Sequence, residues 1–366
     1  MRVSFPRSAT KRSVLAAATA VAVLALAACS SDSSSPTSSS TDSTAPATSA
    51  AAMDSFGDLT VQLSWIKNEE FSGEFFADSK GYYTDAGFGT VNLVPGPSTG
   101  AAELAAGTAD VALSDAVSIG SAIANEGVPL KIIGSTYQKN PFTVLSLSTD
   151  PISTPADMVG KKIGVQDSNT ALFMAFLAAN GLTADDVTIV PVQYDTTALT
   201  SGEVDGYIAY LTNESITVAA QGYDVVNLPF ADNGLPFVAE TITVTQDTID
   251  KKRDELKAFL VAEIKGWTDA VKDPAAGAKL AYETYGADLS LDPATSEAGA
   301  TAQATELVTS DDTKANGLFT ISSALQAATI KSLAGAGIDI TTDDLFDMSL
   351  LDEVYAEHPE LVNYAG

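Results

Sequence analysis

Gly107-Thr108-Ala109-Asp110-Val111-Ala112 and Gly202-Glu203-Val204-Asp205-Gly206-Tyr207 decide the fold. Each is a glycine turn that passes through an aspartate into a β-prone run. Each also follows a short apolar stretch closed by proline, Val91-Asn92-Leu93-Val94-Pro95 in one case and Val187-Thr188-Ile189-Val190-Pro191 in the other. The strand–proline units lie 96 residues apart and the Gly-x-x-Asp turns 95. Two matches in the same order at nearly one offset predict a duplicated α/β unit. Working outward, Thr60–Leu63 and Ile163–Val165 open the two units as strands, and Ala101–Ala106 reads as a helix. Alternating strands and helices imply parallel sheets with right-handed crossovers.

The expected fold is therefore α/β, with two parallel-sheet lobes and a two-strand hinge. Lobe 1 takes residues 58–142 and 245–366, and lobe 2 takes residues 143–244. The β-rich stretches Thr143–Leu147 and Thr241–Thr245 are the expected crossings. After Asp250 the chain reads as mostly helical. Leu256, Phe259, Leu260, Ile264, Trp267 and Val271 recur at three- and four-residue spacing, which puts Trp267 in a core and these helices against lobe 1.

Ligands of such sheets sit beyond the carboxyl ends of the strands, where helix N-termini leave N–H groups free. In lobe 1 that rule selects Trp65 and Asn68, then Ser98, Thr99 and Gly100, then Ser114 and Asp115. In lobe 2 it selects Gln166 and Asn169, then Tyr210, Asn213 and Glu214. Phe71, Tyr137, Tyr207 and Glu240 join them as aromatic and acidic candidates, although regular alternation forbids Tyr207 and Tyr210 from facing the same side. Ser168 and Asp195 are read as helix caps. Glu214 is either a cap or an acceptor for a ligand.

The ends and the composition narrow the class. Arg2, Arg7, Lys11 and Arg12 precede an apolar run from Val14 to Ala28 that is too short to span a bilayer comfortably. Residues 1–28 are read as an export signal. The run ends in Leu26-Ala27-Ala28-Cys29, similar to the bacterial lipobox, so Cys29 is the expected lipidation site. Residues 29–57 are read as a Ser/Thr-rich tether that cannot bury enough apolar surface to offset its ordering entropy. The net charge is −28 over 366 residues, and beyond residue 28 only 15 basic side chains face 47 acidic ones, with Arg253 the only arginine. Such a surface repels nucleic acid and anionic lipid. One cysteine and one histidine, Cys29 and His358, leave no disulfide, no Ser-His-Asp set and no His/Cys metal cluster. No cofactor is expected.

Further residues carry a family resemblance. Ser64-Trp65-Ile66-Lys67-Asn68, Gly73 and Gly81-Tyr82-Tyr83-Thr84-Asp85-Ala86-Gly87 resemble the "W-x-x-N…G…KGYF-x-x-x-G" opening of the solute-binding proteins that serve nitrate, alkanesulfonate and thiamine-pyrimidine-precursor ABC importers. Ala101–Val111 resembles their "L-x-x-G-x-A-D-V" turn, and Pro155–Val165 their "P-x-D-L-x-G-K-x-I-G-V" segment. The likeness runs from about Leu59 to Ala270. It implies a two-lobed (type II) periplasmic-binding-protein fold, a small-molecule ligand, an ABC permease with its ATPase as partner, an extracytoplasmic, lipid-anchored location, a monomer and no catalysis. Phe71 stands where the pyrimidine-binding branch often has histidine, and Lys67 where it has proline.

The ligand itself has to come from the residues, because one such fold serves unlike solutes. Asp115, Glu214 and Glu240 with Trp65, Phe71, Tyr137, Tyr207 and Tyr210 point to a neutral or weakly basic aromatic heterocycle, a thiamine-pyrimidine precursor or a riboflavin-like ring. The alternatives are an anionic nutrient such as an alkanesulfonate or nitrate, with Lys67 beside it, and an enzyme like those of thiamine-pyrimidine biosynthesis.

Overall fold

A computed structural model describes residues 56–364. The expected export signal, Cys29 and all of the tether but its last two residues lie outside them; Gly57, assigned to the tether, begins the first strand.

Among the described residues, ten strands form two five-stranded sheets. They are β1 (Gly57–Gln62), β2 (Phe88–Val94), β3 (Val111–Asp115), β4 (Leu130–Tyr137), β5 (Phe142–Leu147), β6 (Lys162–Val165), β7 (Thr188–Pro191), β8 (Gly206–Tyr210), β9 (Val225–Pro229) and β10 (Ala239–Thr245). The first sheet runs β2-β1-β3-β10-β4 and the second β7-β6-β8-β5-β9. The duplication is thus complete at the level of topology. In each sheet the strand next to one edge pairs in parallel with both its neighbours, β1 with β2 and β3, and β6 with β7 and β8.

The sheets are mixed rather than parallel. β10 is antiparallel to β3 and β4, and β5 is antiparallel to β8 and β9. The reason is connectivity: each of these strands arrives from the other lobe and therefore enters its sheet in the opposite sense. It follows that neither expected hinge stretch crosses. Thr143–Leu147 lies within β5 of the second sheet and Thr241–Thr245 within β10 of the first, so residues 239–244 belong with the first sheet and not with segment 143–244. The crossings are residues 138–141 and 230–238. Asn140 ties them together, its backbone N–H donating to Phe237 O (3.0 Å) and its amide to Leu235 O (2.9 Å).

The first sheet is backed by the C-terminal helices, as expected. Helix Arg253–Lys272 buries Leu256, Phe259, Leu260, Ile264 and Trp267 against helix Ser72–Ser79. The two backbones meet so closely that a β-carbon on Gly73 would lie 2.2 Å from Trp267 Cδ1, so no larger residue fits there without displacing the indole. Trp267 Nε1–H donates to Glu74 Oε1 (3.1 Å), and Tyr83 O–H donates to Glu263. Burial pushes the Glu74 carboxyl up to about 7 and holds Glu263 well above the usual carboxylate range, the two sharing a hydrogen bond. No helix among the described residues is long and apolar enough to cross a membrane.

Candidate functional site: a cleft at the carboxyl ends of both sheets

The strand ends converge on one cleft. Its lining comes from the first sheet side (Ser64, Trp65, Glu70, Ser98, Thr99, Ser114, Asp115, Glu240) and from the second (Phe142, Gln166, Ser168, Asn169, Ile208, Ala209, Tyr210, Asn213, Glu214). The atom-free space is about 490 Å³, part of it open to solvent at the mouth.

Local geometry places these side chains. The loop after β1 is pinned to the loop after β2 by Gly96 N–H to Trp65 O (2.7 Å) and Ser98 N–H to Ser64 O (3.0 Å), which holds Ser64 and Trp65 at the mouth. Asp115 caps the helix Ala116–Ser121, accepting from the Val117 and Ser118 N–H groups and from the Ser118 hydroxyl (2.6 Å). Burial raises its carboxyl pKa. Ser114, beside it, is buried, and its Oγ has no hydrogen-bond partner among the described residues. On the facing side Gln166 donates to Ile208 O (2.9 Å) and Asn169 donates to Gln166 Oε1 (2.9 Å), so this amide pair is held rigid. Glu214 opens the helix Glu214–Ala220 and turns back to accept the Tyr210 N–H (2.8 Å), so it closes the strand–helix turn while lining the cleft.

The floor is a carboxyl pair. Glu240 sits at a bulge where the register of β10 shifts between Ala239 and Thr241, with φ at +45°. A non-glycine residue there costs about 1–3 kcal/mol, which the surrounding structure must hold in place. Tyr210 O–H donates to Glu240 Oε1 (3.0 Å), bridging the two sheets. The Ser64 hydroxyl lies 3.2 Å from Glu70 Oε1 and 3.1 and 3.0 Å from the two Glu240 oxygens, so its one proton serves one carboxyl at a time. Burial, then the neighbouring Glu240 charge, holds Glu70 well above the usual range, and burial pushes Glu240 up to about 7. Burial likewise lifts Glu69 and Glu214 to about 7. None of the lining residues is Lys, Arg or His.

Five of the candidate residues lie elsewhere. Asn68 is a buried cap whose Oδ1 accepts the Glu70 N–H (3.3 Å). Phe71 is core, edge-on to Phe75. Gly100 is a left-handed turn residue (φ +71°) on which a β-carbon would meet Ala112 Cβ at 2.3 Å, so the glycine serves the turn and not the ligand. Tyr137 is buried behind Tyr210 and donates to Gln303 Oε1 (2.7 Å). Tyr207 points to the outer face of the second sheet and donates to Gln193 O, as strand alternation against Tyr210 requires. Lys67 lines a separate surface depression with Asp78, Pro95 and Tyr285. Sequence reasoning missed Glu70, Phe142, Ile208 and Ala209, and it read Ser168 as a helix cap, whereas Ser168 makes no capping bond among the described residues and lines the cleft. The acidic pair Glu69-Glu70 directly after Asn68 was the one available signal.

The site and the fold can now be set beside known proteins. The riboflavin-binding protein RibY of Chloroflexus aurantiacus is 26% identical over 245 residues, 63% of this chain and 66% of that protein, so the chain spans just under two thirds of that relative's length. The alkanesulfonate-binding protein SsuA of Xanthomonas axonopodis pv. citri, solved with MOPS bound, superposes with a TM-score of 0.59 at 16% identity over 79% of this chain and 98% of that one. The desulfurization enzyme DSZB superposes with a TM-score of 0.51 at 15% identity over 82% and 99%. These structures share the two-lobed periplasmic-binding-protein fold. The profile of the family described as "NMT1/THI5 like" matches residues 68–277, from the 3-10 turn at Glu69–Phe71 through the helix that carries Trp267, and this chain belongs to that family.

Proposed function

We propose that this chain is the solute-binding component of an ABC importer, held outside the cytoplasm through Cys29, and that it takes a small aromatic heterocycle into the cleft and passes it to the permease. One observation carries the reading: Trp65, Phe142 and Tyr210 offer ring faces and edges, four acidic residues offer acceptors, and no basic side chain lines the space. A pyrimidine or a flavin edge presents ring N–H and amino donors that such acceptors satisfy. The likeness to a riboflavin-binding protein agrees with a vitamin-like ligand. An anion would need arginine forks or clustered N–H donors, and Lys67 lies on the other depression. The fold alone does not separate binding from catalysis, since DSZB shares it; sustained turnover of a bound heterocycle would move the reading to an enzyme.

Native mass spectrometry of protein purified from cells, followed by titration with riboflavin and with 4-aminopyrimidine, tests the proposal. A co-purified ring compound, or binding of either probe, is the expected result. Trp65→Ala should weaken that binding well over tenfold, because stacking adds about 0.5–1.5 kcal/mol to the lost burial, while apo stability changes little. Glu214→Gln should weaken it too. A co-purified sulfonate or nitrate, bound more tightly by Glu214→Gln, overturns the heterocycle.

A further inference from the structure

The charge of the solute can be read from what the cleft lacks. Glu70, Asp115, Glu214 and Glu240 all line it and all are buried. Their acceptors are not equally spent. Asp115 uses both oxygens on its own helix, and Glu214 holds the Tyr210 N–H through one. The Glu70–Glu240 pair receives only the Ser64 and Tyr210 hydroxyls among the described residues. Whichever of the two carboxyls is ionised holds its negative charge inside the cleft, and no basic side chain among the lining residues balances it. A buried carboxylate is strongly disfavoured unless a partner compensates it, and a cation arriving from outside is such a partner. Two further observations point the same way. Ser114 Oγ is buried, lines the cleft and is unpartnered among the described residues, so a polar group that can accept an N–H waits there. Trp65, Phe142 and Tyr210 supply the negative ring faces that draw a cation.

We infer that the cleft takes its solute as an organic cation, a planar amidine- or aminoheterocycle-like group whose N–H donors face the Glu70–Glu240 pair and Ser114 Oγ. This deepens the reading of the cleft as the solute site and rests on it.

The probes are benzamidine, benzamide and benzoate, nearly isosteric planar molecules of charge plus one, zero and minus one. Each is titrated calorimetrically into the full chain at millimolar concentration. The expected order is benzamidine tighter than benzamide by about tenfold or more, the difference between a charge-assisted and a neutral hydrogen bond, with no benzoate binding. Glu240→Gln, which keeps shape while removing the charge, should bring benzamidine to within a few fold of benzamide. Benzamide binding as tightly as benzamidine, benzoate binding best, or none of the three binding overturns the cation. The two readings fail separately. Riboflavin or 4-aminopyrimidine binding without a benzamidine preference leaves the heterocycle and removes the cation. A benzamidine preference abolished by Glu240→Gln, with neither ring probe binding, does the reverse.

Discussion

Asp110 and Asp205 hold the same position in the two lobes. Asp110 Oδ2 accepts the Thr60 N–H at 2.9 Å and Asp205 Oδ2 accepts the Lys162 N–H at 2.8 Å, and each aspartate's own N–H returns to the carbonyl of the same residue. The turns before them also match, with Ala109 N–H donating to Glu103 O and Val204 N–H to Ala198 O. At the other end of the same strands the lobes part. β3 finishes in Ser114-Asp115, and β8, 95 residues on, finishes in Ala209-Tyr210. The end of β3 thus brings a carboxyl and an unpartnered hydroxyl to the cleft, and the end of β8 brings a ring. Hydrogen bonds that close the amino ends of the strands fix the scaffold, while the carboxyl ends are free to differ, and there the specificity lies.

The lobes also differ in buried charge, and pH is the strongest way to expose it. Glu69, Glu70, Glu74, Glu240 and Glu263 lie on the first-sheet side, against Glu214 on the second. Each has an ordinary value of 4.5, and the folded value is about 7 for Glu69, Glu74, Glu214 and Glu240 and raised well above the ordinary one for Glu70 and Glu263, so between these the folded state binds more protons than the unfolded. Their contribution to stability is therefore complete below about pH 4.5 and is lost as pH rises through 7. A carboxyl raised this far withholds on the order of 3 kcal/mol at high pH. The melting temperature should fall clearly from pH 5 to pH 8, first-lobe amides should lose exchange protection first, and Glu263→Gln should flatten the profile. A flat profile, or one that rises with pH, breaks the contrast.

Packing gives the next largest difference. Gly73→Ala drives a methyl to 2.2 Å from Trp267, whereas Gly164→Ala in the second lobe meets Val192 and Tyr207 at 3.1 and 3.2 Å, distances that small shifts relieve. Denaturant melts should show a loss of about 3 kcal/mol for the first and about 1 or less for the second. Equal losses would mean that the helices on the first lobe yield as readily as the thinner second one. The smallest effect tests the likeness itself. Asp110→Ala and Asp205→Ala each remove one side-chain acceptor from a strand N–H and should each cost about 1 kcal/mol; a clear inequality would show that the two turns are not equivalent.

The topology was legible because its signals are local. The strand-ending proline, the glycine turn and the aspartate that returns to the first strand of the unit lie within about fifteen residues in each unit, from Pro95 to Asp110 and from Pro191 to Asp205. The strand-end rule then found Ser98, Thr99, Ser114, Asp115, Gln166, Asn169, Tyr210, Asn213 and Glu214, all of which line the cleft. It failed where position and side-chain direction separate. Asn68, Gly100 and Tyr207 stand near the strand ends, yet they point into a cap, a turn and the outer face. Phe71 took the place of a ligand contact in the family pattern and packs in the core instead.

By itself the sequence determined the duplicated α/β unit, the excess of acid over base and the single cysteine and histidine, since composition and short-range spacing need no partner. The tertiary structure decided which carboxyls share a wall. Ser64 and Glu70, Tyr210, and Glu240 come from three separate places in the chain and meet because the chain crosses twice between the two sheets and a bulge with φ of +45° turns Glu240 toward the cleft. No local rule anticipates that turn, because a left-handed glutamate is unfavourable on its own and persists only where the surrounding strands hold it.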